Sequence, residues 1–89
     1  MDADRLVVAP AHPVGAAGDR RVIFESGRDV LGQRVGLAFT NVERLVKAMG
    51  ERQPWICLPI RALRDFHLAA GVDRLVVNAQ FQVSALGDK

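Results

Sequence analysis

The segment from residue 34 to residue 79 switches repeatedly between two hydrophobic periods, and this alternation restricts the possible folds more than any other feature of the chain. Short β-branched or alternating runs are typical of strands, whereas apolar residues spaced three and four apart are typical of amphipathic helices. The segment therefore predicts three strands at 34–40, 54–58 and 73–79, separated by helices at 41–49 and 60–71. Strand–helix–strand units form right-handed parallel crossovers, so the three strands are expected to run parallel.

Two further strands are predicted nearer the N-terminus, at 5–9 and 20–25. Residues 10–19, between them, contain prolines, glycines and small residues and predict a loop, and residues 26–33 predict a turn. The two strands are expected to form an antiparallel hairpin. The predicted class is α+β, with a mixed β-sheet of about five strands and two helices in the order β-β-β-α-β-α-β.

Length and composition predict one domain with a core at about 5–79 and a tail at 80–89. Hydrophobic residues make up 49% of the chain and charged residues 25%, which is ordinary for a soluble globular protein. No uncharged apolar run approaches the roughly 18 residues that a membrane span needs, so no membrane partner is expected. The acidic start, MDAD, does not resemble a secretory signal, and we therefore expect a cytoplasmic protein.

The basic residues and the single cysteine exclude two further classes of function. Ten arginines and two lysines give a net charge of +2, but they are spread along the chain instead of forming the basic stripe of a nucleic-acid-binding protein. We therefore expect no nucleic-acid partner. Cys57 lies in an apolar run and is predicted to be a small buried residue with no disulfide partner in the chain, which favours a reducing compartment.

The join between the third strand and the first helix carries a polar pair, Thr40-Asn41. Thr40 followed three residues later by Glu43 has the spacing of a capping box, in which the threonine oxygen accepts from a free amide of the first turn. Glu43 and Lys47 are spaced for an i,i+4 ion pair, and Gly50 is placed to end the helix. These roles predict that Thr40 is a helix cap and not a catalytic residue.

Few residues are available for metal binding or catalysis. His12, His67 and Cys57 do not have the spacing of a metal motif, and the glycines match no phosphate-binding loop. Serine occurs only at 26 and 84 and tyrosine is absent, so a nucleophile and its base have few possible members. We therefore expect no enzyme activity, no metal and no cofactor, and we interpret His67 as a packed histidine with a hydrogen bond at its ring tip.

Candidate binding residues fall into two groups. Leu68 lies among Arg61 and Arg64 on the polar side of the second helix, and Trp55 begins the fourth strand, so these four are candidate protein contacts. Gly36 and Ala38 give the third strand a face with small side chains that a ligand could approach. The candidate ligand-facing residues are His12, Gly36, Ala38 and His67.

Three segments resemble the SseB-like domain of bacteria, in the small stand-alone form common in actinobacteria: GLAFTNVERLVKAMG, QPWICLPIRAL and AAGVDRLVVN. The chain departs from the family pattern at Asn41, where serine is commoner, and at Ala79, where a proline usually follows Asn78. The resemblance covers residues 5–79 and implies an α+β fold of this kind. It implies no reaction, since stand-alone members have no established biochemical activity.

Three functions remain open, and we expect the first. It is a non-catalytic protein-interaction or adaptor module that associates with itself or with a protein partner. The alternative is a small-molecule or peptide-binding domain, and the third is an enzyme of unknown reaction. A homodimer is expected because right-handed crossovers between adjacent parallel strands would put both helices on one face of the sheet and leave the other apolar face uncovered. If the strand order reverses after the fourth strand, each face receives one helix and a monomer suffices.

Overall fold

The computed structural model describes residues 4–15 and 21–80. These residues form an α+β fold with six strands and two helices, in the order β1 Leu6–Val14, β2 Arg21–Phe24, β3 Ser26–Arg28, β4 Arg34–Ala38, α1 Val42–Met49, β5 Trp55–Pro59, α2 Ile60–Ala69 and β6 Leu75–Val77. Neither helix is long and apolar enough, in the described part of the chain, to cross a membrane. The α+β class and the two helices agree with the sequence.

The strands form two small sheets and not the single sheet of about five strands that we expected. Their orders are β2-β1-β5 and β3-β4-β6. β1 is antiparallel to both of its neighbours, whereas β4 is antiparallel to β3 and parallel to β6. Two hydrogen bonds of 2.8 Å between the backbones of Val8 and Phe39 join the sheets. Each sheet is thus built around a central strand, and the two central strands touch at one bridge.

The directions of the later strands agree with the crossover rule, but their order does not place them side by side. β5 is antiparallel to β1, and the bridge between Val8 and Phe39 is antiparallel as well, so β4 and β5 point the same way. β6 is parallel to β4. Because β1 lies between β4 and β5, the chain moves one way across the strands through α1 and returns the other way through α2. Both crossovers are right-handed, but they run in opposite directions across the strands, so the two helices lie on opposite faces.

The packing corrects our expectation that both helices share one face. Val7 and Ala9 of β1 pack with Leu63 of α2, and Val8, whose side chain points to the other face, packs with Leu45 of α1. The central strands are therefore covered on both sides within one chain. The alternative strand order considered above is the observed one, and the argument for a dimer from a wholly uncovered face no longer holds.

Two segments assigned to a loop and a turn are partly strand. β1 continues to Val14 through Pro10 and Pro13, because its second half pairs with β2. Pro10 keeps a ladder bond through its carbonyl, which accepts from the N–H of Glu25 at 2.9 Å, and loses only a donor. Residues 26–28 form β3, so the predicted turn shortens to 29–33.

The buried side of α2 carries a histidine among apolar side chains. The described helix buries Ile60, Leu63 and His67, whereas Phe66 is 57% exposed. The ring of Phe66 instead lies against the ring of Phe24, with the two ring centroids 5.0 Å apart. The helix also ends at Ala69, before the predicted end at Gly71. His67 therefore lies in the core, among the buried residues of the helix.

Candidate functional site

The join between β4 and α1 is held by a side chain from the far end of the domain. The side-chain oxygen of Asn78 accepts from the Thr40 N–H at 3.0 Å and from the Thr40 hydroxyl at 3.3 Å. Asn41, and not Thr40, is the N-cap of α1, since its Oδ1 accepts from the N–H of Arg44 at 2.9 Å. The capping box predicted at Thr40 is therefore wrong. Thr40 links the ends of the two parallel strands instead of starting the helix.

Asn78 adopts a left-handed backbone conformation with φ of 59°, which asparagine tolerates better than most residues. Its N–H donates to the carbonyl of Ala38 at 2.7 Å, so both its backbone and its side chain bind the segment that follows β4. Because the side-chain oxygen must face the Thr40 N–H, the amide –NH₂ is oriented away from Thr40. A hydrogen-bond donor is left on the other side of the Asn78 side chain.

An open cleft of about 410 Å³ lies between α1 and the segment after β6. Its wall on α1 carries Arg44, Lys47 and Ala48, which share one face of the helix by their three- and four-residue spacing. The opposite wall is formed by Asn78 to Gln80. The cleft is located at the carboxyl ends of the parallel strands β4 and β6, the edge at which ligands bind in many α/β proteins. Sequence reasoning did not identify this site.

The cleft is positively charged. None of the described residues that line it is acidic, and within the same ranges neither Arg44 nor Lys47 forms an ion pair. The predicted pair between Glu43 and Lys47 is therefore not formed. A usable signal was present in the sequence, because Arg44 has Thr40 and Ala48 four residues away on either side and hence no acidic neighbour on its own helix face.

The small-sided face of β4 is occupied by α2. A β-carbon built on Gly36 would lie 2.6 Å from Cδ2 and 2.8 Å from Nε2 of His67, so the imidazole rests directly on the glycine backbone. Ala38 is fully buried in the core cluster beneath Leu63. Gly36 and Ala38 therefore have no open surface for a ligand, and their small size is explained by close packing of the helix.

His67 itself is 5% exposed, and its Nε2 has no hydrogen-bond partner among the described residues, contrary to the hydrogen-bonded ring tip that we expected. Burial, and secondarily the positive charge of Arg34, lower the pKa of His67 below its ordinary value. An imidazole packed at this depth has almost no contact with solvent. The ring serves as a core side chain that keeps one unsatisfied polar atom.

His12 lies far along β1 from this cluster and not in a loop. It is paired across the strands with Ile23, and its side chain is in close contact with that of Glu25 on a partly exposed surface. The four candidate ligand-facing residues thus do not form one site, since only Gly36, Ala38 and His67 are near each other. No group of three or more potential metal ligands occurs in the described part of the chain.

The candidate contact residues also separate into two surfaces. Arg61, Arg64 and Leu68 lie on the outer side of α2, where Leu68 is 51% exposed and Arg61 pairs with Asp4 at 2.8 Å. Trp55 belongs to β5 and is 43% exposed, more than expected for a ring packed under a helix. Sequence alone could not separate these surfaces, because β5 and α2 are adjacent in the chain.

Trp55 has apolar neighbours on the face of β5 that points away from α2. The strand register pairs Pro10 with Trp55, Val8 with Cys57 and Leu6 with Pro59, so these side chains share one face. Leu6 is 59% exposed there. Cys57 is exposed as well, which corrects its assignment as a buried residue. We call Leu6, Trp55 and Cys57 the β5 surface.

Comparisons with known proteins identify no relative. No family model matches the chain, and neither the curated proteins nor the solved structures contain a match. The resemblance to the SseB-like family therefore stays a prediction.

Proposed function

We propose that the chain is a non-catalytic protein-interaction module that associates with itself through β5. The observation that carries this proposal is the combination of an edge strand with an exposed apolar surface on the same element. We include in the proposal a cytoplasmic location, consistent with a single exposed thiol in a reducing compartment. Membership of the SseB-like family belongs to the same proposal and rests on the three sequence segments that resemble it.

The outer edge of β5 has hydrogen-bonding groups to offer. β5 pairs with β1 on one side and with no other described strand. The N–H and C=O of Val8 bind Phe39 and thus point away from β5, so Val8 and Cys57 form a non-hydrogen-bonded pair. In such a pair both residues direct their backbone groups outward. The N–H and C=O of Cys57 are therefore available to a strand added at this edge.

The β5 surface adds an apolar contact beside this edge. Trp55 and Leu6 are 43% and 59% exposed, and tryptophan is enriched among the residues that contribute most to binding at the centres of protein interfaces. Pro54 and Pro59 bound the strand and limit how many ladder bonds a partner can make. A short ladder of backbone hydrogen bonds, supported by apolar side-chain contacts, favours pairing with one specific strand over the successive addition of many strands.

A second copy of β5 fulfils these requirements. Cys57 is the central residue of the five-residue strand, so antiparallel pairing about a twofold axis places Cys57 opposite its symmetry mate. Directly opposed residues in a hydrogen-bonded antiparallel pair have Cα atoms about 5.5 Å apart. That separation lies within the range of roughly 4.4–6.8 Å that a disulfide spans. The single cysteine is therefore a sensitive probe of the proposed interface.

Light scattering after size exclusion, over a micromolar dilution series, tests the proposal. We expect a mass near twice 9.7 kDa. Trp55→Ser should shift the equilibrium toward the monomer. Leu68→Ser is the matched control, since Leu68 is exposed to a similar extent on a different surface, and it should leave the mass unchanged. A monomer at all concentrations, or dissociation by Leu68→Ser but not by Trp55→Ser, would contradict the β5 interface.

Cross-linking gives an independent measurement. Mild oxidation or a short bis-maleimide should join two chains through Cys57, and Cys57→Ser should abolish the covalent product while the mass by light scattering stays at that of the dimer. Cross-linking should disappear in Trp55→Ser under the same conditions. A dimer by light scattering whose thiols cannot be cross-linked would place the interface elsewhere on the molecule.

A further inference from the structure

We infer that the cleft between α1 and the segment after β6 binds a small organic anion, a phosphate monoester or a carboxylate carried on a compact apolar body. This inference does not rest on self-association, because the cleft and the β5 surface share no residue. It assigns a ligand class to a cleft that the described residues leave open.

The charge of the cleft favours an anion. Arg44 and Lys47 are exposed, lie one turn apart on the same face of α1, and form no ion pair within the described ranges. Two unpaired cations facing one concave surface attract an anion more strongly than either does on a flat surface, because the walls of a cleft concentrate the field. An arginine beside a lysine provides both a bidentate fork and a point charge for phosphate or carboxylate oxygens.

Asn78 contributes a neutral donor on the opposite wall. Its oxygen is bound to Thr40, at 3.0 Å from the N–H and 3.3 Å from the hydroxyl, so its –NH₂ group is the end that remains for a ligand. The backbone of Asn78 is also held, by a 2.7 Å bond from its N–H to Ala38. The donor is therefore positioned before any ligand arrives, which reduces the entropy cost of binding.

The remaining lining and the size of the cleft set the limits on the ligand. Ala48 and Ala79 provide small apolar contacts, and the volume of about 410 Å³ lies at the lower end of the range of about 300–1,000 Å³ typical of ligand pockets. A single ring or a short aliphatic body with one anionic group fits this space. A long polymer would make only end contacts there.

Lys47 has a structural explanation that Arg44 lacks. A cation in the last turn of a helix is favoured by the helix dipole, and Lys47 occupies that turn. Arg44 lies one turn earlier, where the dipole gives no such benefit. The variant Arg44→Gln is therefore the decisive one, because a purely structural role does not account for its charge.

Titration of the ¹⁵N-labelled full chain, followed by amide shifts, tests the inference with four probes: phenyl phosphate, benzoate, inorganic phosphate and acetate. We expect saturable shifts at residues 44–48 and 78–80 with phenyl phosphate or benzoate, and weaker binding of the two probes that lack an apolar body. Phenyl phosphate binding more tightly than benzoate identifies a phosphate ligand, and the reverse order identifies a carboxylate. Arg44→Gln should weaken the better probe at least about tenfold.

The matched control is Arg64→Gln, which removes an exposed arginine from α2 and should leave the affinity unchanged. Unchanged thermal melting of both variants would show that the fold is kept. The inference is overturned if no probe gives saturable shifts at the cleft, or if Arg44→Gln and Arg64→Gln bind the probes as tightly as the wild type does. Binding weakened equally by both variants would also overturn it, since that result indicates nonspecific attraction to positive charge.

Discussion

Replacing Gly36 by alanine should destabilise the protein by about 2 kcal/mol. Gly36 lies in β4 without a positive φ, so alanine fits its backbone conformation, and only the added methyl group matters. That methyl would lie 2.5 Å from Cδ2 of Leu75 and 2.6 Å from Cδ2 of His67. Because carbon atoms pack best at about 3.5–4.0 Å, both neighbours would have to retreat by about 1 Å.

The magnitude follows from two opposing effects. Overpacking of a well-packed core costs about 1–3 kcal/mol, and the lower entropy of the unfolded alanine chain offsets about 0.4–1 kcal/mol of that cost. We expect a value near the top of the first range, because His67 and Leu75 would be displaced together. For a domain of this size a net loss of about 2 kcal/mol lowers Tm by roughly 8–16 °C.

Urea unfolding followed by circular dichroism measures this loss. Gly27→Ala is the control, since its methyl would approach Cδ2 of Leu37 to 3.2 Å, a contact that a small shift relieves. A double-mutant cycle with His67→Ala should show a coupling of about 1 kcal/mol, because the shorter side chain removes part of the clash. Full stability of Gly36→Ala, or strict additivity in the cycle, would refute the proposed contact between Gly36 and His67.

Three further outcomes are expected. Stability should fall as the pH drops below 6.5, because burial, and secondarily the charge of Arg34, lower the pKa of His67, so that the unfolded chain binds a proton which the folded chain does not. Urea unfolding above and below pH 6.5 should show a weaker pH dependence of the unfolding free energy in His67→Leu than in the wild type. An equal dependence in the two proteins would contradict this role of His67. Asn41→Ala should cost about 1 kcal/mol as a lost helix cap, and Thr40→Val less, as measured by chemical unfolding; the reverse order would restore Thr40 as the cap. Leu68→Ser should leave Tm nearly unchanged in calorimetry, whereas a large loss would show that Leu68 is part of the core.

The elements themselves could be predicted from local patterns. Each predicted strand overlaps an observed one, and both helices begin within a residue or so of their predicted starts. Pro59 precedes α2 as its cap, and Gly71, with φ of 83°, follows its last turn. Such signals are read within one or two turns of the chain, so no tertiary information is needed to interpret them.

The candidate sites were less accessible to sequence reasoning. Asn78 and Arg44 are 34 positions apart, and only the parallel pairing of β4 with β6 brings them to the same cleft. The exposure of Cys57 could not be predicted from its sequence neighbours either, because an apolar run has the same pattern whether one or both faces of the strand are covered. Contacts between distant segments decided both features.

The chain's hydrophobic periods thus determined the positions of both helices and of every described strand except β3, while the tertiary structure decided which face each helix covers. That decision depends on where β1 is inserted. The residues of β1 lie at least 20 positions before β4 and more than 40 positions before β5. Backbone hydrogen bonds place β1 between these two strands, and local hydrophobic periodicity does not indicate the partners of those bonds. Because β1 lies between β4 and β5, crossover handedness places the helices on opposite faces, and His67 is buried against Gly36. Among the described strands β5 is then an edge, with Trp55 exposed beside it.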